Sequence, residues 1–331
     1  MSRIVCIGAG GIMRNAHLPA YQTAGFDVVA LIDTNLASAK ELAEKFDIAH
    51  VSADLADVPS GAIYDVATPP STYVEILSEL PDESYCLIQK PLGETYSQAL
   101  DVLEVCEKKG HRSAANFQLR WCPYVVAMKQ AIAAGEIGEL VDVDFRVNVH
   151  TPWAGWPFLE QSPRMEIVYH SIHYIDLIRD LLGEPSNVWA RAIKHPDSPK
   201  LESSRSSIYL DYGDWLRGTI QTYHAHKAGA KYQESSIKVE GTKGCIRIQM
   251  GLNLNYPVGG ADLCEIWRDG DSGWTPLAFS GSWIPDAFVG PMQAMLDWKS
   301  SGVFPVTEIH DAMKTMELVE RAYAASDQMS V

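Results

Sequence analysis

The spacing of hydrophobic and polar positions changes once along the chain, and the change divides it into two parts. The first third alternates short β-rich runs with longer amphipathic runs, as in RIVCIG, DVVALID and LASAKELAEKF. Such alternation predicts a parallel sheet with helices on both faces. Beyond RSAANFQLR, strand-like segments such as LVDVDFRVNVH and SSIYLDYGDWLRGTIQTYHA dominate. These predict an open, mainly antiparallel sheet flanked by helices.

We therefore predict two domains, an α/β Rossmann domain over residues 1–121 and an α+β domain over residues 122–331. A chain of 331 residues exceeds what one hydrophobic core usually serves.

One predicted helix, spanning residues 163–182, interrupts the strands of the second part with the segment IVYHSIHYIDLIRDLLG. At the helical period, Tyr169, His173 and Asp176 fall within an arc of about 60°. That face carries side chains that can hydrogen-bond or titrate, and the opposite face is apolar.

Charge and composition exclude several classes of partner. The formal net charge of −15 argues against binding to nucleic acid or to an anionic membrane, because both require Lys and Arg to neutralise phosphates. No apolar run approaches the ~18 residues of a membrane span, and the first residues do not resemble a signal peptide. The six cysteines lie far apart without a C-x-x-C pair, which favours buried reduced thiols. We expect a cytoplasmic protein that acts on a small molecule.

A glycine-rich turn follows the first predicted strand in IVCIGAGGIMRNAH. Gly8 would permit the tight turn, and Gly10 would let the backbone approach a pyrophosphate at the N-terminus of the following helix. Met13 stands where the third small residue of this fingerprint is usual. Asp33 ends the next strand, where a carboxylate would hold both ribose hydroxyls and repel a 2′-phosphate. The order of strand, turn, helix and acid predicts that the cofactor is NAD rather than NADP.

Several motifs together resemble the glucose–fructose oxidoreductase and inositol dehydrogenase family (Gfo/Idh/MocA). They are GAGGIMRNAHLPAY, ATPP, QKPLGET, GEIGEL, HYIDLIRDLLGEP and VEGTKG, in that order over nearly the whole chain. The resemblance implies a Rossmann domain that binds NAD(P), and a second domain that closes the active site and commonly forms the oligomer interface. It further implies cofactor contacts from Gly8, Gly10, Gly11, Ile12, Met13, Asp33, Thr68, Pro69 and Lys90. A homodimer or homotetramer is expected.

The resemblance also implies the catalytic residues. Lys90 matches the lysine of the family's E-K-P motif, and as an ammonium it can donate to the reacting hydroxyl oxygen. Gln89 replaces the acid of that motif. In the family's D-x-x-x-H-x-x-D helix, His173 and Asp176 match the last two positions, whereas Tyr169 replaces the first acid. His173 is the expected base, and Tyr169, Asp176 and the neighbouring His170 are expected to bind substrate.

Two other interpretations of this helical face remain open. His170, His173 and Asp176 have the spacing of metal ligands, but the segment supplies no further Cys or His to complete a shell, so no metal is expected. The face could also be an ordinary solvated surface. Glu166, Arg179 and Asp180 are expected to be surface residues of that kind.

Further candidates for the substrate site come from outside the helix. Asn148 and His150 alternate along one predicted strand and share a face of it. Trp153 and Trp156 could stack on a sugar ring or simply cap a core. Arg120 follows the strand AANFQL and could contact substrate or cofactor. A further polar and aromatic cluster after a strand consists of Tyr223, His224 and His226.

The prediction is an NAD-dependent dehydrogenase that oxidises one hydroxyl or lactol carbon of a sugar, inositol or related polyol. The nicotinamide is expected between the ends of the Rossmann strands and the helix of residues 163–182. Two alternatives remain: an NAD-binding regulatory protein without catalysis, and a redox-neutral enzyme that processes glycosides with bound NAD. The substrate and the carbon it is oxidised at do not follow from the sequence.

Overall fold

A computed structural model describes residues 2–328. The chain forms two compact units: the residues up to Trp121 with Ile284–Met316, and Cys122–Trp283 with the described residues from Glu317 onward. The α-helices are Leu18–Ala24 (α1), Leu36–Phe46 (α2), Tyr73–Glu79 (α3), Tyr96–Lys108 (α4), Pro123–Ala133 (α5), Ile172–Leu182 (α6), Val289–Ser301 (α7) and Ile309–Gln328 (α8).

The first unit is a six-stranded parallel sheet, as the alternation of runs predicts. Its strands are Ile4–Ile7 (β1), Val28–Ile32 (β2), His50–Ser52 (β3), Ile63–Val66 (β4), Tyr85–Gln89 (β5) and Arg112–Asn116 (β6). Their spatial order is β3-β2-β1-β4-β5-β6, and every pairing is parallel. This order reverses between β1 and β4, and ligands of doubly wound sheets bind at such a reversal, beyond the carboxyl ends of the strands.

The core of the first unit includes residues from far along the chain. Phe288, Met292, Met295 and Trp298 are buried with strand residues such as Leu31. Residues 284–316 lie within the second domain that the sequence predicts, but in the structure they belong to the first unit. An amphipathic pattern predicts that a helix has a buried face, but it does not say which sheet that face covers.

The second unit is an eight-stranded sheet with one parallel pairing, between β7 and β10. Its strands are Leu140–Asn148 (β7), Asn187–Ile193 (β8), Arg205–Asp211 (β9), Arg217–Tyr223 (β10), Glu234–Gly241 (β11), Gly244–Gln249 (β12), Leu263–Arg268 (β13) and Thr275–Pro276 (β14). Their order is β14-β13-β12-β11-β7-β10-β9-β8. The prediction of an open, mainly antiparallel sheet with helices is confirmed.

Helix α6 covers one face of this sheet. Phe145 of β7 stacks on Tyr174 of α6 with ring centroids 4.9 Å apart. A Cβ on Gly218 of β10 would lie 3.0 Å from Ile178, so the helix approaches the sheet closely at that point. Because side chains alternate along each strand, the remaining half of the strand residues point to the opposite, outer face.

No helix of residues 2–328 has the length and apolar character that crossing a membrane requires. All six cysteines are free and buried, as their spacing predicts.

Candidate active site

Gly8 forms the tight turn that the fingerprint predicts. Its φ is +105°, a region that side-chain-bearing residues rarely adopt, and a Cβ there would lie 2.6 Å from the Ala67 carbonyl oxygen. Gly10 and Gly11 are exposed, with no atom within 4 Å of the position a Cβ would take. The backbone at these two positions therefore stands open to a ligand.

The helix after this turn begins without intrahelical partners for its first amides. The first bond of the turn runs from the Arg14 N–H to the Gly10 carbonyl, so the N–H groups of Gly11, Ile12 and Met13 precede it. Met13–His17 is a π turn, wider than an α turn, and Met13 is fully buried within it. A buried methionine thus stands where a small residue is usual in this fingerprint.

A buried polar triad ties this helix to β4. The Asp65 Oδ2 atom lies 2.7 Å from His17 Nδ1 and accepts a hydrogen bond of 2.8 Å from the Tyr21 hydroxyl. His17 and Asp65 are fully buried. β4 leads directly to Ala67, against which Gly8 packs, so the triad links both sides of the glycine turn.

Asp33 follows β2 and braces the same turn. Its Oδ2 accepts a hydrogen bond from the Ala9 N–H at 2.6 Å, and its Oδ1 accepts one from the Asn35 N–H at 2.7 Å. Each carboxylate oxygen has a second lone pair that can accept a ribose hydroxyl. Thr68 and Pro69 follow Ala67, and the Thr68 hydroxyl pairs with that of Thr72 at 2.7 Å.

The carboxyl edge of the sheet fits a dinucleotide. Asp33, Gly8 and Lys90 directly follow β2, β1 and β5, so all three lie along one edge. At the usual strand spacing the edge from β2 to β5 is about 14 Å long. Asn116 ends β6 at this edge, fully buried, and neither polar atom of its amide has a hydrogen-bond partner among residues 2–328. Such an amide has both a donor and an acceptor for a bound group.

Lys90 lies at the end of β5. Burial lowers the pKa of its ammonium to about 8. Gln89, which precedes it, is buried, and its backbone carbonyl accepts a hydrogen bond of 2.7 Å from the Tyr73 hydroxyl. Lys90 is thus held by an anchored strand and can exchange a proton near neutral pH.

The guanidinium of Arg120 contacts other residues of the first unit. It is buried, and its guanidinium lies 3.1 Å from an Asp311 carboxylate oxygen and donates to the Val306 carbonyl at 3.3 Å. These contacts hold the segment before α8 against the end of the parallel sheet.

In the second unit, the segment singled out in the sequence begins with a second π turn, Ile167–Ser171, and continues as α6. His173 and Asp176 are buried, at 8% and 1% exposure. Trp283 contacts the His173 ring edge-on at 5.2 Å. The face carrying His173 and Asp176 is therefore not a solvated surface.

Glu166 corrects one expectation from the sequence. It is fully buried rather than on the surface, and it accepts hydrogen bonds from the Ser171 hydroxyl at 2.9 and 3.1 Å. His224 Nε2 lies 3.6 Å from its Oε1. Arg179 is also buried, at 6% exposure, and pairs with Glu184, whereas the partly buried Asp180 pairs with Lys129 at 2.5 Å.

The rings of His170 and Trp153 lie close together. Their ring centroids are 5.6 Å apart, and His224 lies 4.4 Å from His170 and 5.1 Å from Trp153. Tyr169 lies nearby in sequence but packs edge-on against Phe158 at 5.9 Å.

The other candidates for the substrate site do not lie beside His170 and Trp153. Asn148 lies on the outer face of the sheet, away from α6, and its amide donates to the Tyr232 carbonyl at 3.1 Å. His150 forms an isolated bridge with Ala225. Tyr223 is also on the outer face, 3.3 Å from His195 Nε2. His226 donates its backbone N–H to Val149.

Trp283 and Asn116 are candidate site residues that sequence reasoning missed. SGSWIPD carries no pattern that would place Trp283 beside His173. Asn116 ends a strand at the carboxyl edge, which is a usable signal in a parallel sheet. Among residues 2–328, no three His, Cys, Asp or Glu side chains are arranged to hold a metal ion.

Comparison with known proteins identifies both units. Residues 2–117 match the family model described as an oxidoreductase family with an NAD-binding Rossmann fold, and residues 125–247 match the GFO/IDH/MocA C-terminal domain. The chain is similar to two proteins named D-apiose dehydrogenase. One, from Rhizobium rhizogenes, is 26% identical over 97% of this chain and 94% of its own. The other, from Paraburkholderia graminis, is 25% identical over 97% and 86%.

A solved structure has the same fold. It is an oxidoreductase from Agrobacterium radiobacter in complex with NAD+, L-tartaric acid and magnesium, with a TM-score of 0.85 and 22% identity. The alignment covers 99% of this chain and 97% of that one. The chain belongs to the GFO/IDH/MocA family of oxidoreductases and has its NAD-binding Rossmann domain.

Proposed function

We propose that the protein is an NAD-dependent dehydrogenase that oxidises one hydroxyl or lactol carbon of a sugar or related polyol. The observation that carries the proposal is Lys90, which lies at the carboxyl edge of the Rossmann sheet with a pKa lowered to about 8. An ammonium with this pKa can donate a hydrogen bond to a substrate oxygen and exchange protons near neutral pH. The similar proteins named D-apiose dehydrogenase support a carbohydrate substrate.

The proposed roles follow from the chemistry of each side chain. Lys90 donates a hydrogen bond to the reacting oxygen and stabilises its alkoxide character. His173 accepts the hydroxyl proton, and Trp283 fixes the orientation of its ring. NAD, when bound, supplies the hydride acceptor. Gly8 shapes the turn that receives the pyrophosphate, the amides of Gly11 to Met13 bind it, and Asp33 accepts the ribose hydroxyls.

We further propose that His170 and Trp153 contact the sugar, with Asp176 and Tyr169 completing the polar face. The flat indole of Trp153 can stack on the apolar face of a pyranose or furanose ring. The imidazole of His170 can hydrogen-bond the sugar hydroxyls. Tyr169 replaces an acid of the family pattern, so it offers the substrate a neutral hydroxyl instead of a carboxylate.

The test is a panel of aldoses, sugar lactols and polyols, including apiose, assayed for NADH formation. Lys90→Met and His173→Asn are expected to lower kcat by about 10²- to 10⁴-fold, the usual contribution of a general acid or base, while NAD binding persists. Lys45→Met and His310→Asn are matched controls on exposed side chains. Near wild-type turnover in both active-site variants would contradict the assigned roles.

The same panel separates the alternative functions. NAD binding without turnover of any compound would favour a regulatory protein. Product formation without net NADH would favour a redox-neutral enzyme that processes glycosides.

Location and assembly are also proposals. The six buried free thiols suit the reducing cytoplasm. The outer face of the eight-stranded sheet carries exposed apolar residues, including Trp189 at 49% and Leu263 at 41%, which supports a homodimer or homotetramer through this face. Light scattering of the purified protein would give its molar mass. We propose no nucleic-acid or membrane partner.

A further inference from the structure

A buried pair of an acid and an imidazole lies next to the rings of His170 and Trp153 in the second unit. It consists of Glu166 and His224, which are 0% and 1% exposed. His224 Nε2 lies 3.6 Å from Glu166 Oε1, which is within ion-pair range but longer than a hydrogen bond. Among residues 2–328, His224 is the only basic side chain within 4 Å of this carboxylate. The proposed function assigns neither residue a role.

The Glu166 carboxylate is held in place by hydroxyl groups. Its two oxygens accept hydrogen bonds from the Ser171 hydroxyl at 2.9 and 3.1 Å, and Ser171 in turn lies 3.2 Å from the Ser206 hydroxyl of β9. The Glu166 backbone N–H donates to the Ser203 hydroxyl at 3.2 Å. The carboxylate is therefore fixed between the π turn that precedes α6 and the start of β9.

His224 is fixed from its other nitrogen by Thr151. The His224 Nδ1 atom lies 2.9 Å from the Thr151 hydroxyl oxygen, and the His224 backbone carbonyl accepts a hydrogen bond of 3.0 Å from the Thr151 N–H. The two ring nitrogens thus face two fixed groups, the hydroxyl of Thr151 and the carboxylate of Glu166. A ring held in this way cannot rotate about its Cβ–Cγ bond without losing these contacts. The imidazole of His224 therefore has one orientation.

This fixed ring contacts both of the rings that are proposed to bind the sugar. The centroid of the His224 ring lies 4.4 Å from that of His170 and 5.1 Å from that of Trp153, at interplanar angles of 66° and 60°. His170 and Trp153 also pack edge-on against each other at 5.6 Å. Edge-on contacts depend on the angle between the rings. The buried ring of His224 therefore sets the orientation of two rings that are only partly buried.

Fold stability alone does not account for this arrangement. Removing a carboxylate and an imidazole from water is costly, and apolar side chains of similar volume would fill the same space without that cost. An apolar ring in place of His224 would lack the contacts with Thr151 and Glu166 that fix its angle. The polar pair therefore suits a role in the geometry of the neighbouring rings.

We propose that His224 is a positioning residue of the substrate site, and that Glu166 and Thr151 hold it in that role. It acts through His170 and Trp153, whose orientation it fixes, so it affects how tightly the sugar binds and not the hydride-transfer step. The proposal rests on the proposed function, in which His170 and Trp153 contact the sugar.

The first test compares kcat and KM for the compound of the sugar and polyol panel that the wild type oxidises. Thr151→Val and Glu166→Gln each disturb one contact of His224 with little change in volume. Both are expected to raise KM about tenfold while kcat stays within about twofold. Thr151→Ser restores the hydroxyl and is expected to restore the KM. The control is His111→Phe, since His111 is a buried histidine of the first unit, 2.9 Å from the Leu77 carbonyl. It is expected to lower stability and leave KM unchanged.

The second test needs no substrate. The ring proton shifts of His170, measured by NMR on protein with labelled histidines, depend on the distance and angle of the neighbouring rings, and His170→Gln assigns them. Thr151→Val and Glu166→Gln are expected to move these signals. Thr151→Ser and His111→Phe are expected to leave them in place. If Glu166→Gln does not fold, the two Thr151 variants decide the result.

The two tests separate this proposal from the proposed function. If no compound of the panel is oxidised, the proposed function fails, and the NMR spectra alone decide the role of His224. Unmoved His170 signals in Thr151→Val would refute that role. A fall in kcat at unchanged KM would also refute it, as would an equal rise in KM in Thr151→Ser and Thr151→Val.

Discussion

Lys90 has a pKa that falls within the pH range of ordinary assays. Because its pKa is about 8, the ammonium loses its proton as the pH rises through that value, whereas an exposed lysine stays charged until about 10.5. If the charged form is needed at the reacting oxygen, turnover falls above pH 8. Lys90→Arg keeps its charge at every accessible pH. The residual turnover of Lys90→Arg is therefore expected not to decrease above pH 8, and pH–rate profiles of the variant and the wild type would show the difference.

The same residue has a predictable effect on stability. Between pH 8 and 10.5 the unfolded chain binds the Lys90 proton that the folded chain has released, so the free energy of unfolding rises with pH in this window. Lys90→Met removes an ammonium whose pKa burial lowers from 10.5 to about 8. At about 1.4 kcal/mol per pKa unit, the variant is expected to be more stable than wild type by at most about 3 kcal/mol below pH 8. Urea unfolding at pH 7 and 10 should show this difference shrinking, and a constant difference would contradict it.

Gly8 and Gly10 are glycines for different reasons: Gly8 allows a backbone conformation with positive φ, and Gly10 leaves space beside the backbone. Gly8→Ala is expected to destabilise the fold by about 1–2 kcal/mol because of its positive φ, with further cost from the contact with Ala67. Gly10→Ala meets no atom of the chain, so its stability should stay near wild type. Both variants are expected to bind NAD at least tenfold more weakly, measured by fluorescence titration. Tight binding by Gly10→Ala would show that the backbone does not approach the cofactor there.

At the scale of elements, the helix that follows the glycine turn depends on a buried ionisable contact. Asp65→Asn replaces the carboxylate oxygen that His17 and Tyr21 share with an amide oxygen, which is a weaker acceptor. Weakening these two buried hydrogen bonds is expected to cost about 1–3 kcal/mol. Urea unfolding of the variant should show this loss, whereas Asp101→Asn, a change at an exposed position of α4, should leave stability near wild type.

Hydrophobic periodicity predicts where helices and strands lie better than it predicts which side of each element is buried. The two sheets, the glycine turn and helix α6 follow from alternation, spacing and family motifs. Glu166 could not be placed in this way, because it precedes a π turn and the 100° rule holds only for an α-helix. Asn148 was grouped with His150 by strand alternation, but alternation does not say which face of a sheet a helix covers. Trp283 lies more than a hundred residues from His173, and only tertiary packing brings them together.

At the scale of the whole molecule, the Rossmann unit is built from two separated stretches of chain. Residues 1–121 alone lack Phe288, Met292 and Trp298, which are buried in the core of that unit. Trp121 lies against α7, where a Cβ on Gly290 would collide with its ring. A fragment of residues 1–121 is therefore expected to expose apolar core and to unfold without cooperativity.

The matched fragment joins residues 1–121 to residues 284–316 through a flexible linker. It restores the missing core and is expected to unfold cooperatively and to bind NAD, as followed by circular dichroism and fluorescence. If residues 1–121 alone bound NAD as tightly as the joined fragment, the returning segment would not be required for the Rossmann unit.

The discontinuous core also has a consequence for synthesis on the ribosome. The six Rossmann strands leave the ribosome before the residues of α7 that cover them have been translated, because the 162 residues of Cys122–Trp283, which belong to the second unit, lie between. At ordinary elongation rates this interval lasts on the order of ten to thirty seconds. During that time the nascent chain presents an uncovered apolar surface, so we expect it to be a substrate for chaperones that bind translating polypeptides.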